Sequence, residues 1–224
     1  MALVITANFI NRTFRIRCGD SIGTAFTIDV DNRQYLVTAR HVVQAFDPAV
    51  GIDLFVNGTW TTAPTQLVGH GAGQIDVSVL TAENPMSPPD LPVLASSNGL
   101  AYGQEVFFLG FPYDILGNIV FTDQGYPLPL AKRATMSCFA GDIFLLDGHN
   151  NPGFSGGPVL FSPRGGPPTN IGGVISGYRI EQERVYYGSE PTDLSFRYNT
   201  GIIISYKVEA ALSLIEGNPI GALL

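Results

Sequence analysis

Residues Asn151 to Leu160 read Asn-Pro-Gly-Phe-Ser-Gly-Gly-Pro-Val-Leu, and an apolar run continues into Phe161. Glycines at 153, 156 and 157 tolerate positive φ and close backbone approach. Ser155 can therefore sit on a tight turn with its hydroxyl and the neighbouring N–H groups converging on one space. A serine hydroxyl is a poor nucleophile alone; it needs a base to take its proton and backbone donors to hold the oxyanion formed by attack. Taken by itself the stretch reads first as a glycine-rich β-turn, so the rest of the chain has to decide.

The order of the histidines removes one alternative. Gly153-Phe-Ser-Gly-Gly157 also fits the G-x-S-x-G elbow of α/β-hydrolases, in which the histidine follows the serine. All three histidines here, His41, His70 and His149, precede Ser155, so that order fails.

Composition narrows the class. The 224 residues are 45% apolar and only 14% charged, with 26 glycines and 16 prolines, which predicts an all-β chain of short strands and many turns. A net charge of −7, with only 12 Lys and Arg, argues against nucleic-acid partners and anionic membranes. No stretch approaches the apolar length of a membrane span, and residues 1–10 lack the basic start of a secretory signal. A cytoplasmic protein is the resulting expectation. Cys18 and Cys138 are too few for a disulfide framework and are expected to be reduced thiols, with a single bridge as the alternative.

Along the chain, Thr13 to Cys18 alternates at period two, and Ser21 to Val30 and Gln34 to Thr38 form a hairpin around Asp31-Asn32. Asn57-Gly58 marks a second hairpin. Residues 69–73 read as a loop holding His70, and residues 74–80 as a strand with Asp76 at its start. Pro85, Pro88, Pro89 and Pro92 mark a boundary between residues 1–92 and 93–224. Strands are expected near residues 105–110, 131–138, 143–146, 157–161, 171–180 and 198–206, with a loop of nearly balanced charge over residues 179–199. Val208 to Glu216 is the amphipathic helix, stopped by Gly217. The architecture expected is two six-stranded antiparallel β-barrels and a C-terminal helix.

Three segments now stand in order: Thr38-Ala-Arg-His41-Val, Ile75-Asp76-Val-Ser-Val-Leu80 and Asn151-Pro-Gly-Phe-Ser155-Gly-Gly-Pro158. Together they resemble the trypsin/chymotrypsin-fold serine peptidases, particularly the bacterial high-temperature-requirement (HtrA-type) branch, without its PDZ domain. Gly23-Thr-Ala-Phe-Thr-Ile28 and the final helix extend the resemblance over nearly the whole chain. It implies a serine endopeptidase in which His41 is the general base, Asp76 orients its imidazole and Ser155 is the nucleophile. It further implies an oxyanion hole of the Gly153 and Ser155 N–H groups, and an acyl-enzyme cleaved by water without metal or cofactor.

By the same resemblance Ser176 lies near Asp76, Gly177 and Tyr178 pair with an extended protein or peptide substrate, and Gly201 borders the specificity pocket. His149 stands where trypsin proper has an aspartate, so cleavage after Lys or Arg is not implied; a structural or exposed histidine is the first reading, and selection of an acidic side chain the second. Phe154 replaces the acidic residue that pairs with a freed amino terminus in zymogen-activated members, which implies activity without N-terminal cleavage. A regulatory protein partner is possible. The competing functions are a catalytically silent, protease-like peptide-binding module and a subtilisin-like hydrolase, the latter opposed by the lack of helices.

Overall fold

Alternation of buried apolar and exposed polar side chains at period two builds two sheets. The computed structural model describes residues 4–90, 92–112, 120–163 and 168–224; residues 1–3 of the N-terminal stretch and Leu91 of the proline-rich boundary lie outside them. After a one-turn helix α1 (Ala7–Ile10), the first sheet comprises β1 (Thr13–Cys18), β2 (Ser21–Val30), β3 (Arg33–Thr38), β4 (Ile52–Val56), β5 (Thr59–Ala63), β6 (Thr65–His70) and β7 (Ser78–Ala82). The second comprises β8 (Leu94–Ala95), β9 (Glu105–Gly110), β10 (Leu130–Ala140), β11 (Ile143–Asp147), β12 (Pro158–Phe161), β13 (Asn170–Tyr187) and β14 (Glu190–Lys207). Helix α2 (Glu209–Gly217) follows, and β15 (Ala222–Leu223) returns to pair with β3.

Neighbours in the first sheet run β5-β4-β1-β2-β3-β7-β6. Its two outer strands, β5 and β6, are separated only by Pro64. Proline cannot donate to a ladder, so the chain bends there and the two segments act as one strand that changes partner. Counted as one, β5/β6 joins the ends of the path and closes a six-stranded ring. The second sheet runs β12-β9-β10-β11-β14-β13, and direct β12–β13 pairing closes it, with β8 added in parallel to β13.

The turns follow local chemistry. Asp31 and Asn32 have φ of 50° and 60°, and Asn57 and Gly58 have 49° and 82°, the left-handed pairs that two-residue hairpins require. Three elements differ from the sequence reading. Strand β7 starts at Ser78, so Asp76 lies in the loop before it. His70 ends β6, and its Nδ1 lies 2.6 Å from Ser78 Oγ; burial, with Arg40 nearby, pushes this imidazole below its ordinary range. The expected loop at 179–199 is instead a two-stranded ribbon, the outer part of β13 and β14, turned at Gly188-Ser189.

Each barrel has its own core, and a third cluster lies between them. Phe108, Phe144, Phe154 and Phe161 fill the second barrel; Phe14, Ile16, Leu36 and Val43 fill part of the first. Phe26, Val37 and Val79 meet Leu109, Leu160 and Val174 across the seam, closed over by Val208 and by Ala211 and Ile215 of α2. Trp60 stacks edge-on with Phe55. Cys18 is buried, Cys138 is half-buried and both are free thiols.

Phe144 is wholly buried, and a Cβ at Gly173 would press on its ring. Truncation there leaves a void that backbone on one side and barrel wall on the other keep open. Phe144→Ala is expected to cost about 3–5 kcal/mol, read as a lower urea midpoint with an unchanged m-value.

Candidate active site

The loop after β3 tightens into a single 3-10 turn, Arg40–Val43, because Val42 and Val43 bury themselves against the first barrel. That turn leaves His41 facing outward with its side chain about half exposed, 48%. Its neighbour Arg40 donates to the carbonyl oxygens of Gly71 (3.0 Å) and Gly73 (3.3 Å), holding the loop that carries Asp76. One Asp76 oxygen accepts from the His41 backbone N–H at 2.9 Å and the other meets His41 Nδ1 at 2.7 Å. Two contacts on one residue fix both the ring and the backbone turn beneath it.

Ser176, on β13, comes from the second barrel. Its hydroxyl donates to Asp76 Oδ2 at 2.6 Å, and its carbonyl accepts the Ser155 hydroxyl at 3.0 Å. The carboxylate therefore has three donors. Burial pushes the Asp76 carboxyl up, but the hydrogen bonds from His41 and Ser176 outweigh it and hold the pKa below the ordinary carboxylate value. Asp76 is held as an anion beside the imidazole.

The Ser155 turn is set by glycine geometry. Gly153 has φ of 101° and Gly156 of 84°. A Cβ at 153 would run into the Phe111 carbonyl, and one at 156 into the Thr24 carbonyl and the Thr38 hydroxyl. Between them Phe154 is wholly buried, edge-on to Phe108 at 4.9 Å. Thr24 donates its hydroxyl to the Gly153 carbonyl (2.7 Å) and its N–H to the Ser155 carbonyl (2.8 Å). Lys132 donates to the His149 carbonyl at 2.7 Å and to the Asn151 side chain.

Backbone donors in this turn divide into two sets. Phe154, Gly156 and Gly157 give their N–H groups to the carbonyls of Asn151, Ile175 and Phe154. Among the described residues the N–H groups of Gly153 and Ser155 have no partner. Two unengaged donors on one turn can receive a developing negative charge.

Gly177 faces open space and Gly201 has φ of 79°, with a Cβ there meeting only the Gly148 carbonyl, at 3.6 Å, and Asp147. Gly148 N–H donates to the Gly201 carbonyl, and the Asn199 side chain binds the Asn150 carbonyl. Segments 148–150 and 199–201 are thus tied together, and 176–178 adjoins Ser155 through the Ser176 carbonyl. Tyr178 is half-buried there, whereas His149 presents an exposed ring and only its carbonyl is bonded within the site. Sequence reasoning overlooked Thr24, Arg40 and Lys132. Arg40 adjoins His41 and Thr24 lies inside a quoted segment, but their partners are carbonyl oxygens, which no pattern of side chains displays. Among the described residues no group of His, Cys, Asp or Glu could hold a metal ion, and no helix is long and apolar enough to cross a membrane.

Comparison with solved structures gives the same fold. The chain is similar to the HtrA-type protease AlgW with a tripeptide, at 20% identity and a TM-score of 0.59, over 94% of this chain and 61% of that one. It thus spans about three-fifths of that relative's length. The serine endoprotease from Yersinia pestis matches at 18% identity and a TM-score of 0.60, over 96% of this chain and 67% of that one. The Rv3671c protease in an inactive form matches at 18% identity and 0.58, over 95% and 91%. Comparison with curated proteins gives no match. Residues 23–165 match the model of the trypsin-like peptidase domain, and the chain is a member of that family.

Proposed function

We propose that the chain is a serine endopeptidase working through Ser155, His41 and Asp76. The observation that carries this reading is the double role of Ser176, which joins Asp76 through its hydroxyl and Ser155 through its carbonyl. One residue of β13 thereby ties the anion that orients the imidazole to the hydroxyl that attacks.

Without substrate the Ser155 hydroxyl donates to the Ser176 carbonyl. An extended substrate needs that same carbonyl, because the N–H of the residue before the scissile bond lies opposite it. Binding frees the Ser155 proton to turn toward His41. His41 Nε2 then accepts it as Oγ attacks the scissile carbonyl, and Asp76, bonded to Nδ1, stabilises the imidazolium. The Gly153 and Ser155 N–H groups receive the oxyanion. Collapse breaks the C–N bond as His41 returns the proton to the leaving amine, and water repeats the sequence on the acyl-enzyme. Substrate side chains before the scissile bond would lie toward Gly201 and His149, with Gly177 and Tyr178 pairing to the backbone.

A peptide-binding role without cleavage draws support from the same resting contact, since the Ser155 hydroxyl is directed at Ser176 rather than at His41. The two readings part on a covalent test. A fluorophosphonate probe is expected to label the wild-type chain and not Ser155→Ala, and Ser155→Ala is expected to lower kcat on unfolded protein about 10⁴-fold or more. An unlabelled wild type selects the binder.

Asp76 gives a prediction with a sign. Its folded pKa lies below its unfolded value, so its contribution to stability is fully present above about pH 4 and is lost as pH falls through the depressed value. Asp76→Asn is expected to be less stable than wild type at pH 7, with the gap closing on acidification in urea melts. The same variant should lose about 10⁴-fold in kcat with little change in KM, because the amide holds the wrong imidazole tautomer.

A further inference from the structure

From Asn170 to Val174, β13 has neighbours on both sides: β12 on one, and on the other β8 at Asn170 and Ile171 and β14 at Gly173 and Val174. From Ser176 onward it has β14 alone, and its other side carries no strand among the described residues. This open edge begins at the carbonyl that receives the Ser155 hydroxyl and continues outward along the ribbon.

The direction of the backbone groups along that edge can be read from two bonds. The Arg179 carbonyl accepts from the Thr200 hydroxyl at 3.0 Å and the Val185 carbonyl from the Thr192 hydroxyl at 2.7 Å, so both face β14. Successive residues of a strand present their N–H and C=O groups to opposite sides. The pairing with β14 is regular from Ile180 to Arg184, between register shifts at 178/180 and 184/186, so within that run Ile180, Gln182 and Arg184 turn theirs to the open side.

We infer that the ribbon edge from Ile180 to Arg184 is a binding site for the part of a protein substrate that precedes the scissile bond, which adds to β13 as an antiparallel strand well beyond the immediate cleft. This rests on the peptidase reading. The occupant follows from continuity: a chain whose last residue before the scissile bond meets Ser176 runs on past Tyr178 and the irregularity at 178/180, and every second residue of its farther part pairs with Ile180, Gln182 and Arg184. Side chains on the ribbon contribute little choice among sequences. Arg179 is bonded to Glu181, Glu183 to Tyr198 and Gln182 to Ser195, so their polar groups are already engaged with one another. The ligand is an extended, unfolded polypeptide segment of loose sequence, recognised by its main chain.

The test uses the full chain and nested peptides built on one cleavage site mapped in unfolded casein, carrying three, five, seven or nine residues before the scissile bond. Each added pair brings two main-chain hydrogen bonds, and kcat/KM is expected to rise about fivefold per step. N-methylation scanned over the residues that face Ile180 to Arg184 should cancel the gain at every second residue and leave it at those between. A kcat/KM independent of length, or equal losses at alternate positions, overturns the inference and leaves the peptidase reading intact. If no peptide is cut and no fluorophosphonate label appears, the peptidase reading falls instead. The edge is then tested by fluorescence anisotropy of the labelled peptides on Ser155→Ala. An affinity that grows with length and shows the same alternation supports it, and a flat affinity rejects it.

Discussion

Thr24 is the point at which the two barrels are tied to one another beside Ser155. It stands on β2 of the first barrel, donates through its side chain to Gly153 and through its backbone to Ser155, and accepts the Thr38 hydroxyl at 2.7 Å. Thr38 ends the strand that leads directly to the turn holding His41. A single residue therefore sets the serine loop and the histidine turn against the same strip of backbone. The space is so close that Gly156 has no room for a methyl group against the Thr24 carbonyl.

Around this tie the apolar seam does the bulk of the holding. Residues from β2, β3 and β7 meet residues from β9, β12 and β13, and Val208 together with Ala211 and Ile215 of α2 seals the outer side. Glu209, in the first turn of α2, accepts the Ser97 N–H at 2.8 Å, and Asn218 after its end donates to the Val68 carbonyl at 2.9 Å. The helix thus bridges both barrels by its two ends as well as its buried face. Because Asp76 and Ser155 descend from opposite sides of this seam, the Ser176 bridge needs the barrels in one fixed relation.

Much of the barrel architecture was legible from patterns that act locally. Period-two alternation marked β1 to β3, and Asp31-Asn32 and Asn57-Gly58 marked their turns because those pairs accept positive φ. The family was legible from three short segments in order. What stayed hidden depends on partners distant in sequence. The ribbon at 179–199 lacks a clean alternation because both its faces are wet, as with Tyr187, 86% exposed. Pro64 reads as a break, yet its effect is to hand one strand from β4 to β7. Strands β8 and β15 hold two residues each, too few to show any period.

Phe154 carries a consequence of its own. In the zymogen-activated enzymes that this chain resembles, the corresponding residue is acidic and is held by a charge; here an aromatic ring buried against Phe108, with the Lys132 ammonium 5.6 Å from its centre, anchors the serine turn. An ionic latch is weakened by added electrolyte and titrated away at extreme pH. A greasy plug answers to different variables: excluded salts such as sulfate tighten it, and cold or urea loosens it. The buried ring thereby makes the posture of the Ser155 turn answer to solvent cohesion and temperature.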